Sequence, residues 1–216
     1  MTTTQPEQAD FDRVARVYRW AEYISLGTLL QRTREHFLPE LADRRRALVL
    51  GDGDGRFLAR LLQHNTALQA LAVDTSAAML SLLQHRCTFA ADRLQTRCGS
   101  ALDEDLPKNT DLIVTHFFLD CLTQPEVQAL TQRLGHAAQT GTLWLLSDFA
   151  VPARPLLGPL AAIYVRSLYL AFALLTGLRV KHLPDPQRAL AAEGFEQLAR
   201  HQRLGGLLYT ELWRRR

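Results

Sequence analysis

Cysteine is scarce: three in 216 residues, Cys87, Cys98 and Cys121, with no C-x-x-C pair and no zinc-ligand spacing. That argues against a disulfide framework and a metal centre, and fits a reducing cytosol. A strong excess of charge of either sign is also missing. The 25 Lys and Arg stand against 22 Asp and Glu, a formal net charge of +3. The densest basic runs, Arg44-Arg45-Arg46 and Arg214-Arg215-Arg216, read as solvated flanks rather than a nucleic-acid stripe. The first ten residues have no basic n-region and no apolar h-region, so no secretory signal is expected, and the expected location is the cytoplasm. Repeats and low-complexity stretches are lacking. The apolar fraction, 47% over 216 residues, suffices for one well-buried α/β domain and not for two large ones.

Against that background one stretch organises the chain. Ala47-Leu-Val-Leu50 runs into Gly51-Asp52-Gly53-Asp54-Gly55, after which Phe57, Leu58, Leu61 and Leu62 recur at helical spacing. This predicts strand, glycine loop, helix. Glycine lets backbone approach a ligand with no Cβ in the way, and the helix turns its unbonded N–H groups toward the same space. The spacing is G-x-G-x-G with Arg56 following, not the G-x-G-x-x-G of a pyrophosphate loop. Asp52 and Asp54 would repel phosphates and favour a cation. S-adenosylmethionine carries both an ammonium and a sulfonium, and its carboxylate could lie toward the helix N-terminus.

The rest of the chain follows an alternating pattern. Residues 11 to 41 predict two or three short helices broken at Gly27, which either pad an edge of the sheet or form a lid with Tyr18 and Trp20 as its aromatic candidates. Leu68 to Asp74 predicts a second strand ending in an acid 23 residues after Gly51, the spacing at which nucleotide-binding sheets place a carboxylate on ribose hydroxyls. Thr75 or Ser76 should cap the next helix. Gln95 to Cys98 leads to Gly99-Ser100-Ala101, a turn expected near an adenine. Asp111 to Phe117 and Thr142 to Asp148 predict buried strands on either side of a helix that begins near Pro125. Residues 188 to 192 predict a short helix, and 195 to 201 and 207 to 213 a closing antiparallel hairpin across Gly205-Gly206. The pattern is that of a doubly wound α/β sheet.

On Leu50-Gly-Asp-Gly-Asp-Gly55, Val73-Asp-Thr-Ser-Ala-Ala-Met-Leu80, Gly99-Ser-Ala101 before Leu106-Pro107, Asp111-Leu-Ile-Val114 and the hairpin, the chain resembles the class I S-adenosylmethionine-dependent methyltransferases. Phe11-Asp-Arg-Val-Ala-Arg-Val-Tyr18 and Ser25-Leu-Gly27 resemble the ubiquinone and menaquinone C-methyltransferases. The resemblance implies a Rossmann-like seven-stranded sheet, mostly parallel with a reversed last strand, between helical layers. It divides a single domain into N-terminal helices and lid (1–46), cofactor-binding core (47–149), helical acceptor insertion (150–183) and closing helix and hairpin (184–216). Two positions depart from the family: Val49 stands where an acid usually precedes the first loop glycine, and Ser100 where an Asp usually meets the adenine amino group.

The implied cofactor, S-adenosyl-L-methionine, would contact Tyr18, Gly51, Asp52, Gly53, Gly55, Asp74, Met79, Ser100 and Ala101. Because its methyl is already activated, the protein needs no metal, only an acceptor held in line. His116, Asp120 and Asp148, near the carboxyl ends of their strands, are the candidate bases. Leu156 to Leu178 carries a single charge, Arg166; Pro159 and its place between two strands of one sheet argue against a membrane span. In the family this insertion shapes the acceptor pocket. Tyr164, Tyr169 and Phe172 are therefore expected to bind a small apolar or aromatic acceptor, with transient membrane contact to collect it. A cofactor-binding protein without turnover and a nicotinamide-dependent reductase stay open as alternatives.

Overall fold

The computed structural model describes residues 27–152 and 183–216. Seven strands form one sheet: β1 Arg46–Leu50, β2 Gln69–Asp74, β3 Leu94–Cys98, β4 Leu112–His116, β5 Leu143–Phe149, β6 Phe195–Arg203 and β7 Leu208–Arg215, in the order β3-β2-β1-β4-β5-β7-β6. The first five run parallel, and β7 lies antiparallel between β5 and β6. The mostly parallel sheet with a reversed last strand is thus the observed one. Helix α1 spans Gly27–Arg34. Tyr18, Trp20, Tyr164, Tyr169 and Phe172 lie outside the described residues, as do most of the lid and of the insertion.

Three of the described helices start where a side chain meets their free N–H groups. In α3, Ala77–Arg86, the Ser76 hydroxyl accepts from Met79 N–H, so the cap falls on one of the two hydroxyl residues expected. Helix α4, Gln124–Ala137, has Pro125 in its first turn, and Glu126 reaches back to accept from Thr123 N–H at 2.7 Å. In α5, Pro186–Ala192, the Asp185 carboxylate accepts from Arg188 N–H. Helix α2, Arg56–His64, instead begins at Gly55, whose φ of 76° is left-handed.

Strand alternation sorts the side chains to two cores. Ala47, Val49, Ala70, Ala72, Leu112 and Val114 pack against Phe57, Leu58, Leu61 and Leu62 of α2 and Leu83 of α3. Leu48, Leu50, Val73, Ile113, Trp144 and Leu146 pack on the other face against Val127, Leu130 and Leu134 of α4 and Leu190 of α5. Trp144 is fully buried because its indole N–H finds the Thr115 hydroxyl at 3.0 Å. The crossover from β3 to β4, residues 99–111, contains no helix, as the sequence pattern predicts. Loop residues Pro107 and Thr110 border a groove of about 230 Å³ there, with Arg46, Gln69, Leu71, Gln95 and Arg97 among its other walls. Among the described residues, no helix is long and apolar enough to cross a membrane.

Candidate functional site

Strands β1 to β5 end along one edge of the sheet, with Leu50 paired to Val73 and Thr115, Asp74 to Cys98 and His116 to Ser147. From β1 the chain winds outward to β2 and β3, then returns to place β4 on the other side of β1. The loops after β1 and β4 therefore diverge, and the crevice between them is where an open α/β sheet takes its ligand. Gly51-Asp-Gly-Asp-Gly55, Asp74, Gly99-Ser-Ala101 and Phe117-Phe118 all leave the sheet along this edge.

The three glycines have three different jobs. Gly51, Gly53 and Gly55 all have positive φ. A Cβ on Gly53 would meet nothing within 4 Å, so this residue offers bare backbone to open space, the cradle a bound cofactor requires. A Cβ on Gly55 would come within 2.6 Å of Leu83 Cγ, so Gly55 is where α2 and α3 approach each other. A Cβ on Gly51 would meet Phe118 Cδ2 at 2.5 Å.

The loop's charge differs from expectation. Asp54 is paired with Arg56 at 3.1 Å and Arg86 at 2.9 Å, and Arg86 also donates to its carbonyl. Its charge is met within the protein, which removes it as an attraction for a cation. Asp52 is buried, and its Oδ2 accepts from Leu58 N–H at 3.0 Å. The first turn of α2 thus already carries a carboxylate supplied from inside the chain.

Asp74 is half-buried at the end of β2, and its Oδ1 accepts from Ser76 N–H at 2.9 Å. Met79 is buried in the first turn of α3. Gly99 N–H bonds to Asp74 O, which fixes the two neighbouring loops together. The Ser100 hydroxyl accepts from Leu102 N–H, while Arg133 of α4 donates to the Ala101 and Leu102 carbonyls. The site residues after β1, β2 and β3 therefore line one continuous edge.

The three candidate bases do not converge. His116 follows Leu112 and Val114 onto the α2 face, edge-on to Phe57 with ring centroids 4.3 Å apart. Neither ring nitrogen has a hydrogen-bond partner among the described residues. Burial, and secondarily the charge of Arg34, holds its pKa well below 6.5, so the imidazole is neutral. Asp148 follows Trp144 and Leu146 onto the opposite face, paired across the ladder with Tyr209. Asp148 and Asp120 are both buried and interact, and the Cys121 thiol reaches Asp120 Oδ1 at 3.5 Å. Burial first, and the Asp120 charge second, push the Asp148 pKa well above 3.8.

That shift has a thermodynamic consequence. With its folded pKa above its unfolded one, Asp148 holds protons more tightly in the native state, so its ionisation costs stability increasingly as pH rises from about the unfolded value of 3.8. Asp148→Asn keeps the shape and removes the charge. It is expected to raise the melting temperature at neutral pH and to lose that gain in acid; a gain independent of pH would refute the assignment.

Sequence reasoning missed Phe117 and Phe118. Phe117 has φ of 51°, which costs a bulky residue about 1–2 kcal/mol. Its N–H bonds to Ser147 O at 2.6 Å, its ring contacts Phe149, and Arg34 lies 5.0 Å from its centroid. These contacts hold the turn that sets Phe118 against Gly51. No glycine or proline marks it in the sequence.

Comparison with known proteins gives the same architecture. Residues 48–143 match a family described as a methyltransferase domain. The chain is similar to an O-methyltransferase family 2 protein from Planctomyces limnophilus solved with apigenin: 18% identity, TM-score 0.70, 94% of this chain and 62% of that one. A second is the N,N-8-amino-8-demethyl-D-riboflavin dimethyltransferase RosA of Streptomyces davawensis, with 21% identity, TM-score 0.63, and 95% and 62% coverage. A third is the N-methyltransferase NodS of Bradyrhizobium japonicum, with 14% identity, TM-score 0.59, and 86% and 96% coverage. The chain spans about three fifths of the first two, 62% of each, and nearly all of the third, 96%. No curated protein matches it.

Proposed function

We propose that the methyltransferase domain carried by residues 48–143 binds S-adenosyl-L-methionine along the carboxyl edge of the sheet and, within the whole chain, transfers its methyl to a small acceptor. The observation that carries this reading is the open backbone at Gly53 on one edge with the Asp74 carboxylate. The cofactor supplies an activated methyl on a sulfonium. Gly51 and Gly53 let the chain approach its methionine end, Asp74 accepts from its ribose hydroxyls, and Ser100 and Ala101 line the adenine side. Met79 packs beneath and Asp52 fixes the loop, and Tyr18 is a proposed further contact, named from the sequence alone.

The chain's remaining tasks are to align an acceptor atom at about 3–3.5 Å from the methyl and to exclude water. Where the acceptor must lose a proton, the Asp120–Asp148 pair is the proposed receiver, through whichever of its two carboxyls is ionised, since the pair sits at the carboxyl ends of β4 and β5. The acceptor is apolar or aromatic, a reading supported by Tyr164, Tyr169 and Phe172 in the apolar segment and by the apigenin in one similar structure. Calorimetric titration with S-adenosylmethionine and S-adenosylhomocysteine tests the cofactor. Binding of both is expected; binding of a nicotinamide dinucleotide instead would overturn the reading. Asp148→Asn is expected to retain cofactor binding and lower turnover about 10²-fold or more with a hydroxyl acceptor.

A further inference from the structure

The crevice at the switch between β1 and β4 holds an aromatic ring where the sequence suggested carboxylates. Asp54 is neutralised by Arg56 and Arg86, and Asp52 is drawn under α2 by Leu58 N–H. Phe118, half-buried and packed on the α4-face core, stands against Gly51, the first residue beyond β1, at the crevice where the methionine end of the cofactor is proposed to lie. Its position is not incidental to the fold. It follows from the left-handed turn at Phe117, which is held by Ser147 O, Phe149 and Arg34.

We infer that Phe118 is a cofactor-contacting residue whose ring face stabilises the sulfonium, so that the site prefers the charged methyl donor over its neutral demethylated product. This rests on the cofactor reading above. The negative face of an aromatic ring attracts a cation directly, and the attraction grows where water is excluded. A glycine at position 51 is what lets the ring come this close, since any Cβ there would overlap it. The arrangement also helps product leave: once the methyl is transferred the charge is gone, and the ring retains only its apolar contact with the product.

The test compares two ligands on three proteins. Calorimetry would measure S-adenosylmethionine and S-adenosylhomocysteine binding to the wild type, to Phe118→Leu, and to a protein with 3,4,5-trifluorophenylalanine incorporated at position 118. The fluorinated ring keeps its shape and loses most of its negative face. Both altered proteins are expected to bind S-adenosylmethionine roughly 3- to 10-fold more weakly while S-adenosylhomocysteine changes by less than about twofold. An equal loss for both ligands, or an unchanged S-adenosylmethionine affinity in the fluorinated protein, overturns the inference and leaves Phe118 a packing residue. Failure of the wild type to bind either ligand would overturn the cofactor reading instead. If Phe118→Leu does not fold, the fluorinated protein decides alone.

Discussion

Asp74→Ala is expected to weaken S-adenosylmethionine binding at least tenfold. A carboxylate accepting from two ribose hydroxyls makes two charge-assisted hydrogen bonds. Losing them should cost about 1.5 kcal/mol or more, where 1.4 kcal/mol is a factor of ten. The structure complicates the alanine variant, because Asp74 Oδ1 also accepts from Ser76 N–H and so helps form the turn before α3. Asp74→Asn separates the two roles. Its amide oxygen can still accept from Ser76 N–H, but the charge and the second acceptor are gone. Calorimetry on both folded variants decides the matter. Full affinity in Asp74→Ala would remove the ribose assignment; weak binding by the Ala variant with full affinity in the Asn variant would assign Asp74 to the turn alone.

Gly55→Ala is expected to lower stability by about 2–5 kcal/mol. A Cβ at φ of 76° costs about 1–2 kcal/mol. Overpacking a tight contact costs about 1–3 kcal/mol more. The overlap is with Leu83 Cα at 3.0 Å as well as with Leu83 Cγ at 2.6 Å, so a rotamer change in Leu83 cannot relieve it and α3 must move. Gly53→Ala is the control. Its Cβ meets nothing within 4 Å, so only the left-handed backbone is penalised and stability should fall by about 1–2 kcal/mol. Its ligand affinity should suffer more than its stability. Urea denaturation of the two variants would show the contrast; equal losses would mean that the α2–α3 contact is not tight.

Much of the sheet was legible because buried parallel strands are short apolar runs, and those at 47–50, 112–116 and 143–147 are hard to read otherwise. The glycine loop and the acid ending β2 were legible for the same local reason. What escaped depends on contacts distant in sequence. Of the two arginines on Asp54, Arg56 stands beside the loop but Arg86 lies 32 residues away, so the sequence near the loop shows only half of the pairing that neutralises this charge. The turn at Phe117 is a non-glycine residue forced to positive φ by its surroundings, against its own propensity. The separation of His116 from Asp148 was within reach, since 112, 114 and 116 share one face and 144, 146 and 148 share another. Only the packing of α2 and α4 shows that these faces are opposite.

The helix-free crossover from β3 to β4 makes the two ends of the crevice mechanically unequal. Beyond Gly55 and Ser76 the chain continues into α2 and α3, whose buried faces must be exposed before either loop can give way. The loop that bears Ser100 and Ala101 continues into residues 102–111, secured by Arg133 on the carbonyls of Ala101 and Leu102 and by the Arg97–Glu104 pair. Opening it breaks a few bonds worth about 1–3 kcal/mol each and lifts Ala101, Leu102 and Leu106 off the α4-face core, but unfolds no helix. The end of the crevice that bears Ser100 and Ala101 is therefore its compliant end. Its kinetic signature is amide exchange at 99–103 that outpaces exchange at 112–116, and equal rates in the two segments would contradict it.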